Sequence, residues 1–358
     1  MEKIDILIIK GKRIIINNMG IPGLFANLCK KYEKRIITEK RTTNSLFFDF
    51  NCIIHPIAKQ ISEFKDIENT IVSECIKFLD HIIKFVEPTD LCGIFVDGVC
   101  PVSKMLQQRQ RRHCSVADRD IFNGIRGITE YYDTNAITPG TAFMEKLDIA
   151  IERYIEENKQ LKMIYSSSKH VGEGEHKIIQ YIKQNIGPDN QITIYGLDAD
   201  LIILSMTMIR NHNVLLLRDS CFFDVNECAK CISHELRNDN EIDYRMIDDF
   251  VFITILFGND FVWPCPSINL RHRWNKLNGY DKLLNAYKML YYREKTYMVE
   301  VGDTIKINWD MFRQLIHFLS GFEQQYFEDM GNYRDGRKTD STDQAEIRIF
   351  KIENLQFN

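Results

Sequence analysis

Seven acidic side chains stand where a fold could gather them: Asp49, Asp97, Glu173, Glu175, Asp198, Asp200 and Asp260. Three of them end short apolar runs, in Leu46-Phe-Phe-Asp49, Gly93-Ile-Phe-Val-Asp97 and Ile192-Thr-Ile-Tyr-Gly-Leu-Asp198. Such a run reads as a buried strand with a carboxylate at its C-terminal tip. In an open parallel sheet those tips share one edge, and ligands bind there. Asp200 follows two residues after Asp198, within reach of the same edge. Glu173 and Glu175 lie in Val171-Gly-Glu-Gly-Glu-His176, just ahead of a helical pattern, and the alternating glycines allow tight turns that aim both carboxylates inward. Asp260 follows a strongly apolar helical segment, in Gly258-Asn-Asp-Phe. Taken singly, an aspartate after a strand is usually a helix N-cap or a turn residue. Several at one edge repel each other unless a cation neutralises them. Hard oxygen ligands without cysteine or paired histidine favour Mg²⁺ or Mn²⁺ over zinc. One or two such ions are expected, and a pair would clamp the attacking water and the leaving oxygen of a phosphodiester.

A basic segment follows Asp97. Residues 98–117 contain no acid, and Lys104-Met-Leu-Gln-Gln-Arg-Gln-Arg-Arg112 holds four cations. At roughly 100° per residue on a helix, Lys104, Gln108, Arg111 and Arg112 share a sector of about 100°, and Arg109 points elsewhere. A face of Lys, Gln and two Arg suits a terminal phosphate, which offers several acceptor oxygens to forked donors. A solvated basic face is the commoner use of such a run; its position beside the acidic edge favours the phosphate pocket.

The elements that must position these residues are legible as alternation. Leu46–Phe50, Leu91–Val96, Met163–Ser166, Gln191–Tyr195 and Val214–Leu217 read as buried strands. Asn69–Val86, Thr141–Asn158, His176–Asn185 and Leu201–Met208 read as helices between them. That order implies crossover units and a parallel sheet covered on both faces. Tyr244–Phe257 reads as an apolar helix closed by Gly258, Asp310–Glu328 as a further helix, and the polar, Gly- and Asp-containing stretch from Gly331 as a mobile tail. With 358 residues, 44% hydrophobic, the chain can bury a sizeable core. The net charge of −4 weakens a non-specific nucleic-acid-coating role and leaves a local basic patch as the requirement for binding nucleic acid. No apolar run reaches membrane-spanning length, and the N-terminus does not read as a signal peptide. The ten cysteines follow no framework spacing, which suits free thiols in a reducing, intracellular setting, nucleus or cytoplasm. Cys221, Cys228, Cys231 and His234 are spaced too tightly for a typical zinc finger, and Asn226–Leu236 reads as a helix instead.

Several motifs together resemble the XRN family of 5′→3′ exoribonucleases. They are Met19-Gly-Ile-Pro-Gly-Leu-Phe, Asp49-Phe-Asn-Cys-Ile-Ile-His55, the Lys104–Arg112 run, Asn135-Ala-Ile-Thr-Pro-Gly-Thr141, Gly172-Glu-Gly-Glu-His-Lys177, Tyr195-Gly-Leu-Asp-Ala-Asp-Leu201 and Phe257-Gly-Asn-Asp-Phe261. The resemblance implies a Rossmann-like α/β fold of the PIN and flap-nuclease kind, with a C-terminal helical extension. It implies Mg²⁺-dependent release of nucleoside 5′-monophosphates from single-stranded RNA bearing a 5′ monophosphate. Through it, all seven acids become catalytic metal-site residues, Lys104, Gln108, Arg111 and Arg112 a phosphate pocket, and His55 a base-stacking residue. Read without the family, His55 is a turn or core histidine. The expected organisation is an N-terminal extension over 1–18, with Met19 as an alternative start, a nuclease domain over 19–261, a helical extension over 262–330 and a tail over 331–358. The resemblance is to a minimal or divergent member, of a kind seen in large DNA viruses. The family's second characteristic region, rich in Trp, Tyr, Phe and Pro, is expected beyond the present C-terminus, and processivity depends on it. Two other readings stay open: a flap or 5′ nuclease acting on DNA, and an RNA-binding protein without activity.

Overall fold

Period-two alternation within the apolar runs decides the architecture. In the strand Ser45–Asp49 (β2), Phe47 faces one hydrophobic cluster while Leu46 and Phe48 face another. The strands Leu91–Phe95 (β3), Gln191–Tyr195 (β5) and Asn213–Arg218 (β6) divide in the same way, so the sheet is buried on both faces. A strand buried on both faces carries few polar side chains, which is why these segments stand out in the sequence. The computed structural model describes residues 21, 23–61, 66–127, 132–218, 221–238, 240–270, 278–336 and 347. The expected extension over 1–18, Met19, and the tail beyond residue 336 except residue 347, lie outside them.

The strands Ile37–Thr38 (β1), Met163–Ser166 (β4) and Cys221–Asp224 (β7) complete a seven-stranded sheet of order β1-β7-β6-β5-β2-β3-β4. The five strands β6, β5, β2, β3 and β4 are parallel; at one edge β7 pairs antiparallel with β6, and β1 antiparallel with β7. Chain order runs outward from β2 through β3 to β4, then returns to β5 on the other side of β2 and continues to β6. The topological switch point therefore lies between β2 and β5, where the crossovers diverge and leave a crevice at the carboxyl ends.

Helices Asn51–Gln60 (α2), Ile67–Val86 (α3) and Ala142–Glu157 (α5) pack on one face. Leu24–Ile36 (α1), Gly174–Asn185 (α6), Asp200–Met206 (α7), Val225–Arg237 (α8) and Tyr244–Ile253 (α9) pack on the other. Local signals set the ends: Thr141 Oγ1 accepts from Met144 N–H, and Asp224 Oδ1 accepts from Glu227 N–H, each the N-cap of its helix. The long helix Val102–Arg126 (α4) leaves the carboxyl end of β3 and contains the whole basic run.

Beyond α9 the chain forms a 3-10 turn, Thr254–Phe257, the helix Gly279–Glu294 (α10), a hairpin of Val299–Val301 (β8) and Ile305–Ile307 (β9), and the helices Trp309–Ser320 (α11) and Glu323–Gly336 (α12). The single helix expected over 310–328 is two, broken at Gly321-Phe322. The polar stretch from Gly331, expected as a tail, continues α12 as helix through Gly336; Gln324–Glu328 and Gln325–Asp329 contacts one turn apart support its exposed face. Asp249 ties this part to α9. Its buried carboxylate accepts from Met298 N–H at 2.6 Å, from Val299 N–H at 2.7 Å, and from the Tyr287 hydroxyl.

Candidate metal centre and its basic flank

The switch-point crevice is lined by carboxylates from five separate segments. Asp49 closes β2 and is 5% exposed. Asp97 lies two residues past β3, Asp198 three residues past β5, and Asp200 is the first residue of α7. Glu173 is the N-cap residue of α6 and Glu175 sits in its first turn. Asp260 follows the 3-10 turn. All seven predicted acids converge, and their electrostatics records it. Burial, then the charges of Asp97 and Asp198, pushes Asp49 well above the ordinary carboxylate range. Burial, then Asp49, Asp198 and Asp200, does the same to Glu175. Burial and Glu173 raise Asp97, against the Gly174 N–H that steadies its charge. Asp198 and Asp200 are raised to about 6, in each case first by burial and with Asp260 adding to it.

Short hydrogen bonds aim these groups. Gly174 N–H donates to Asp97 Oδ1 at 2.6 Å, so the start of α6 is docked onto the acid that follows β3. Gly174 lies in the helix rather than in a turn, and its need for glycine is close approach. A Cβ there would lie 2.8 Å from Asp49 Oδ1 and 3.1 Å from the Phe95 carbonyl. Asn51 Oδ1 accepts from Asp97 N–H at 3.0 Å, and Ile21 N–H donates to Asp200 Oδ1 at 2.7 Å. The Cys52 thiol donates to Asp49 Oδ2 at 3.0 Å, and its sulfur accepts from Leu197 N–H at 3.3 Å. Arg218 donates to the carbonyls of Asp198 and Leu197, and Lys177 to those of Val96 at 2.7 Å and Ser167 at 3.1 Å. Asn51, Cys52, Gln107, Lys177 and Arg218 were missed as supports. Four of them stand beside or inside the motifs, but a side chain that orients another leaves no spacing signal of its own.

Among the described residues, two groups of side chains bring ligand atoms within 4.8 Å of one another: Asp49, Cys52 and Asp198, and Glu173, Glu175 and His176. Glu173 Oε2 and Glu175 Oε2 are buried without a hydrogen-bond partner. Unpartnered buried carboxylate oxygens and raised carboxyl groups are what a hard cation relieves. Burial and the Asp49 charge push the Cys52 thiol up, so it stays protonated and orients Asp49. The acids fit a divalent cation. The cysteines of α8 do not form a comparable site: Cys228 and Cys231 are buried in the apolar core, and the four residues of the tight Cys/His spacing are not brought together.

The basic run lies on the same flank, with one difference from expectation. Lys104 turns inward, only 8% exposed, and its ammonium bonds Asp260 at 2.6 Å and also Glu173. Burial opposes its charge, but these two carboxylates win and raise the group. Burial likewise opposes the Asp260 charge, yet Lys104, Gln107 and Arg111 hold its carboxyl below the usual range; Gln107 Nε2 donates to it at 3.1 Å. Gln108 is half-buried, and Arg111 and Arg112 are exposed one turn further along α4. His55 sits in α2, half-buried. Burial lowers its ring to about 4, and the nearby charges of Lys59, Arg111 and Arg112 add to this, so the imidazole is neutral at pH 7. Thus α4 runs from the acid cluster at Lys104 to the neighbourhood of His55 at Arg111 and Arg112.

A doubly wound α/β sheet carries a buried carboxylate cluster at its switch point that could hold a divalent cation, and a basic helix flanks it. The family model described as the XRN 5′-3′ exonuclease N-terminus matches residues 19–220, and the one described as the Xrn1 helical domain matches residues 240–354. The chain belongs to the XRN 5′→3′ exonuclease family. It is 28% identical to 5′-3′ exoribonuclease 1 of Saccharomyces cerevisiae over 366 residues, covering 87% of this chain and 23% of that protein. It is 28% identical to 5′-3′ exoribonuclease 2 of Arabidopsis thaliana, covering 80% of this chain and 35% of that protein. The chain spans less than half the length of these curated relatives. Among solved structures it is similar to the catalytic core of Rad2 in complex with DNA substrate, with a TM-score of 0.41 and 11% identity over 88% of this chain and 80% of that one. The second matched region starts upstream of Asp260 and extends past residue 331, whereas the motifs were read as one nuclease region through 261 and a tail from 331. Among the described residues, no helix is long and apolar enough to cross a membrane.

Proposed function

We propose that the chain is a divalent-metal-dependent 5′→3′ exoribonuclease. It takes single-stranded RNA with a 5′ monophosphate and releases nucleoside 5′-monophosphates. The observation that carries this reading is the convergence of Asp49, Asp97, Glu173, Glu175, Asp198, Asp200 and Asp260 beside the basic face of α4. Carboxylates alone would make a centre for phosphodiester hydrolysis; the adjoining cations make it directional.

The seven carboxylates would hold Mg²⁺ or Mn²⁺. When bound, such ions lower the pKa of water and stabilise charge on the phosphoryl oxygens. The other steps belong to this chain's own side chains. Lys104 neutralises Glu173 and Asp260 here; with those carboxylates holding a cation, its ammonium would be free to bind the terminal phosphate. Gln108, Arg111 and Arg112 follow it along α4 and supply further donors. A phosphate bound this way must be a chain end, because a continuing strand leaves fewer oxygens for the pocket. The neutral His55 ring, beside Arg111 and Arg112, offers a face on which the first base stacks. The scissile bond one nucleotide inward then falls at the acids.

The test compares 5′-monophosphate, 5′-hydroxyl and 5′-triphosphate RNA, each with Mg²⁺ or EDTA. Mononucleotide release is expected only from the monophosphate strand and only with metal. Asp198→Ala combined with Asp200→Ala abolishes it. Arg111→Ala blunts the preference among the three ends, and His55→Phe retains more activity than His55→Ala. Equal degradation of the three strands by wild type removes the phosphate pocket from the reading. Metal-dependent cleavage of flap DNA in preference to RNA replaces it with a DNA 5′ nuclease.

A further inference from the structure

Immediately after Asp260 the chain displays Phe261, Val262 and Trp263 to solvent, exposed by 54%, 38% and 92%. Trp263 is the most exposed of the large hydrophobic side chains among the described residues. Leaving an indole in water forfeits a large burial gain, so its setting matters. The loop that carries it is tightly built. Asn259 Oδ1 accepts from the N–H groups of both Phe261 and Val262, at 2.8 and 2.9 Å. Asn259 N–H donates to the Val262 carbonyl at 2.9 Å, and Cys265 N–H to the Leu256 carbonyl at 2.8 Å. Gly258 has φ +83°, and a Cβ on it would lie 2.7 Å from Pro264 N. Lys104 and Gln107 of α4 grip Asp260 from the other side. The loop that bears the apolar tip is therefore held at the rim of the acid cluster, joined to the basic helix α4 through Asp260.

We propose that Trp263 is a stacking platform for a base of the single-stranded substrate, at a position along the strand distinct from the one held at His55. An anionic strand drawn to a basic helix brings bases, the one part of it that is flat and apolar, to an exposed indole carried on a hydrogen-bonded loop at the site's edge. A protein partner would favour a broad apolar face, but here the exposed apolar group is a three-residue tip flanked by charge. The inference rests on the nucleic-acid reading above. It concerns recognition, so it is tested without cleavage.

The experiment measures binding of a 5′-monophosphate single-stranded RNA to the whole chain in EDTA. Wild type, Trp263→Ala and Trp263→Phe are compared on the intact strand and on a set of strands each carrying one abasic position. Trp263→Ala should weaken binding of the intact strand roughly ten- to a hundredfold, and Trp263→Phe much less. One abasic position should weaken wild type similarly, and on that strand Trp263→Ala should add nothing. Loss of affinity that is equal on every strand, or no loss at all, overturns the platform and leaves the nuclease reading standing. Wild type that binds no single strand and degrades none with Mg²⁺ overturns both.

Discussion

Substituting Gly174 by alanine tests the geometry of the acid cluster without removing any carboxylate. The added Cβ would stand 2.8 Å from Asp49 Oδ1, about 0.6 Å inside the 3.4 Å where ordinary contact begins, and 3.1 Å from the Phe95 carbonyl. Asp49 cannot simply swing away, because it is buried and its other oxygen takes the Cys52 thiol at 3.0 Å. The Phe95 carbonyl is fixed by its bond from Phe50 N–H at 2.9 Å. The first turn of α6 must therefore lift by several tenths of an ångström, carrying Glu173 and Glu175 and lengthening the Gly174–Asp97 bond of 2.6 Å. For stability the terms oppose each other: alanine gains up to about 1 kcal/mol of helix propensity, and overpacking costs about 1–3 kcal/mol. The net loss is on the order of 1 kcal/mol, so the protein stays folded. Misplacing positioned groups by even part of an ångström costs far more in rate, up to about a hundredfold. The assay pairs chemical denaturation with single-turnover mononucleotide release at saturating Mg²⁺. A Gly174→Ala protein with wild-type rate and wild-type stability would refute the argument that this helix start and these acids are in contact.

Other outcomes follow from the same structure. Asp198 and Asp200 are raised to about 6, first by burial, so the metal-free folded protein binds more protons than the unfolded chain between about pH 4 and 6. The contribution of these groups to stability is present below that window and lost as pH rises through it; Mg²⁺ should therefore raise the melting temperature clearly at pH 7.5 and little at pH 5, and an equal shift at both would contradict a metal centre at these acids. Asp249→Ala strands the Tyr287 hydroxyl and the N–H groups of Met298 and Val299; a loss of about 3 kcal/mol in urea unfolding is expected, and a loss under about 1 kcal/mol would show that these bonds are replaced. Cys52→Val keeps the volume but leaves Leu197 N–H and Asp49 Oδ2 without their sulfur partner; a loss of about 1–2 kcal/mol should come with weaker Mg²⁺ dependence of melting, and unchanged metal response would separate Cys52 from the centre. Gly258→Ala forces a left-handed residue against Pro264, so activity should fall with Asp260 misplaced; a variant as active as wild type would mean the loop tolerates the shift.

Much of the sheet and both predicted clusters were legible because their signals are local. Buried parallel strands must be continuously apolar, so Gln191–Tyr195 is legible with the ends the structure gives it; Met163–Ser166 also has its expected ends, but it is the half-buried edge strand rather than a buried one. Carboxylates at strand tips are placed by topology alone once the sheet is parallel. The additions β1 and β7 were not legible: a two-residue strand and an antiparallel return carry too little periodicity. The break at Gly321-Phe322 and the helix through Gly336 were misread, because polar composition says little about helix ends when support comes from contacts one turn apart.

The amino-acid sequence by itself determined the residue types, their order along the chain and their family. From these came the α/β alternation, the seven acids and the basic helical face. Only the tertiary structure decided the strand order, which puts the switch point between β2 and β5 and so brings Asp49 and Asp198 to one crevice. It alone turned Lys104 inward onto Glu173 and Asp260 rather than outward with Arg112. The physical reason is that spacing fixes which face of a helix a residue occupies, whereas the charge it meets there comes from segments remote in sequence. A buried ammonium settles between carboxylates because each cancels the other's desolvation cost, and that pairing exists only once the fold has brought them together.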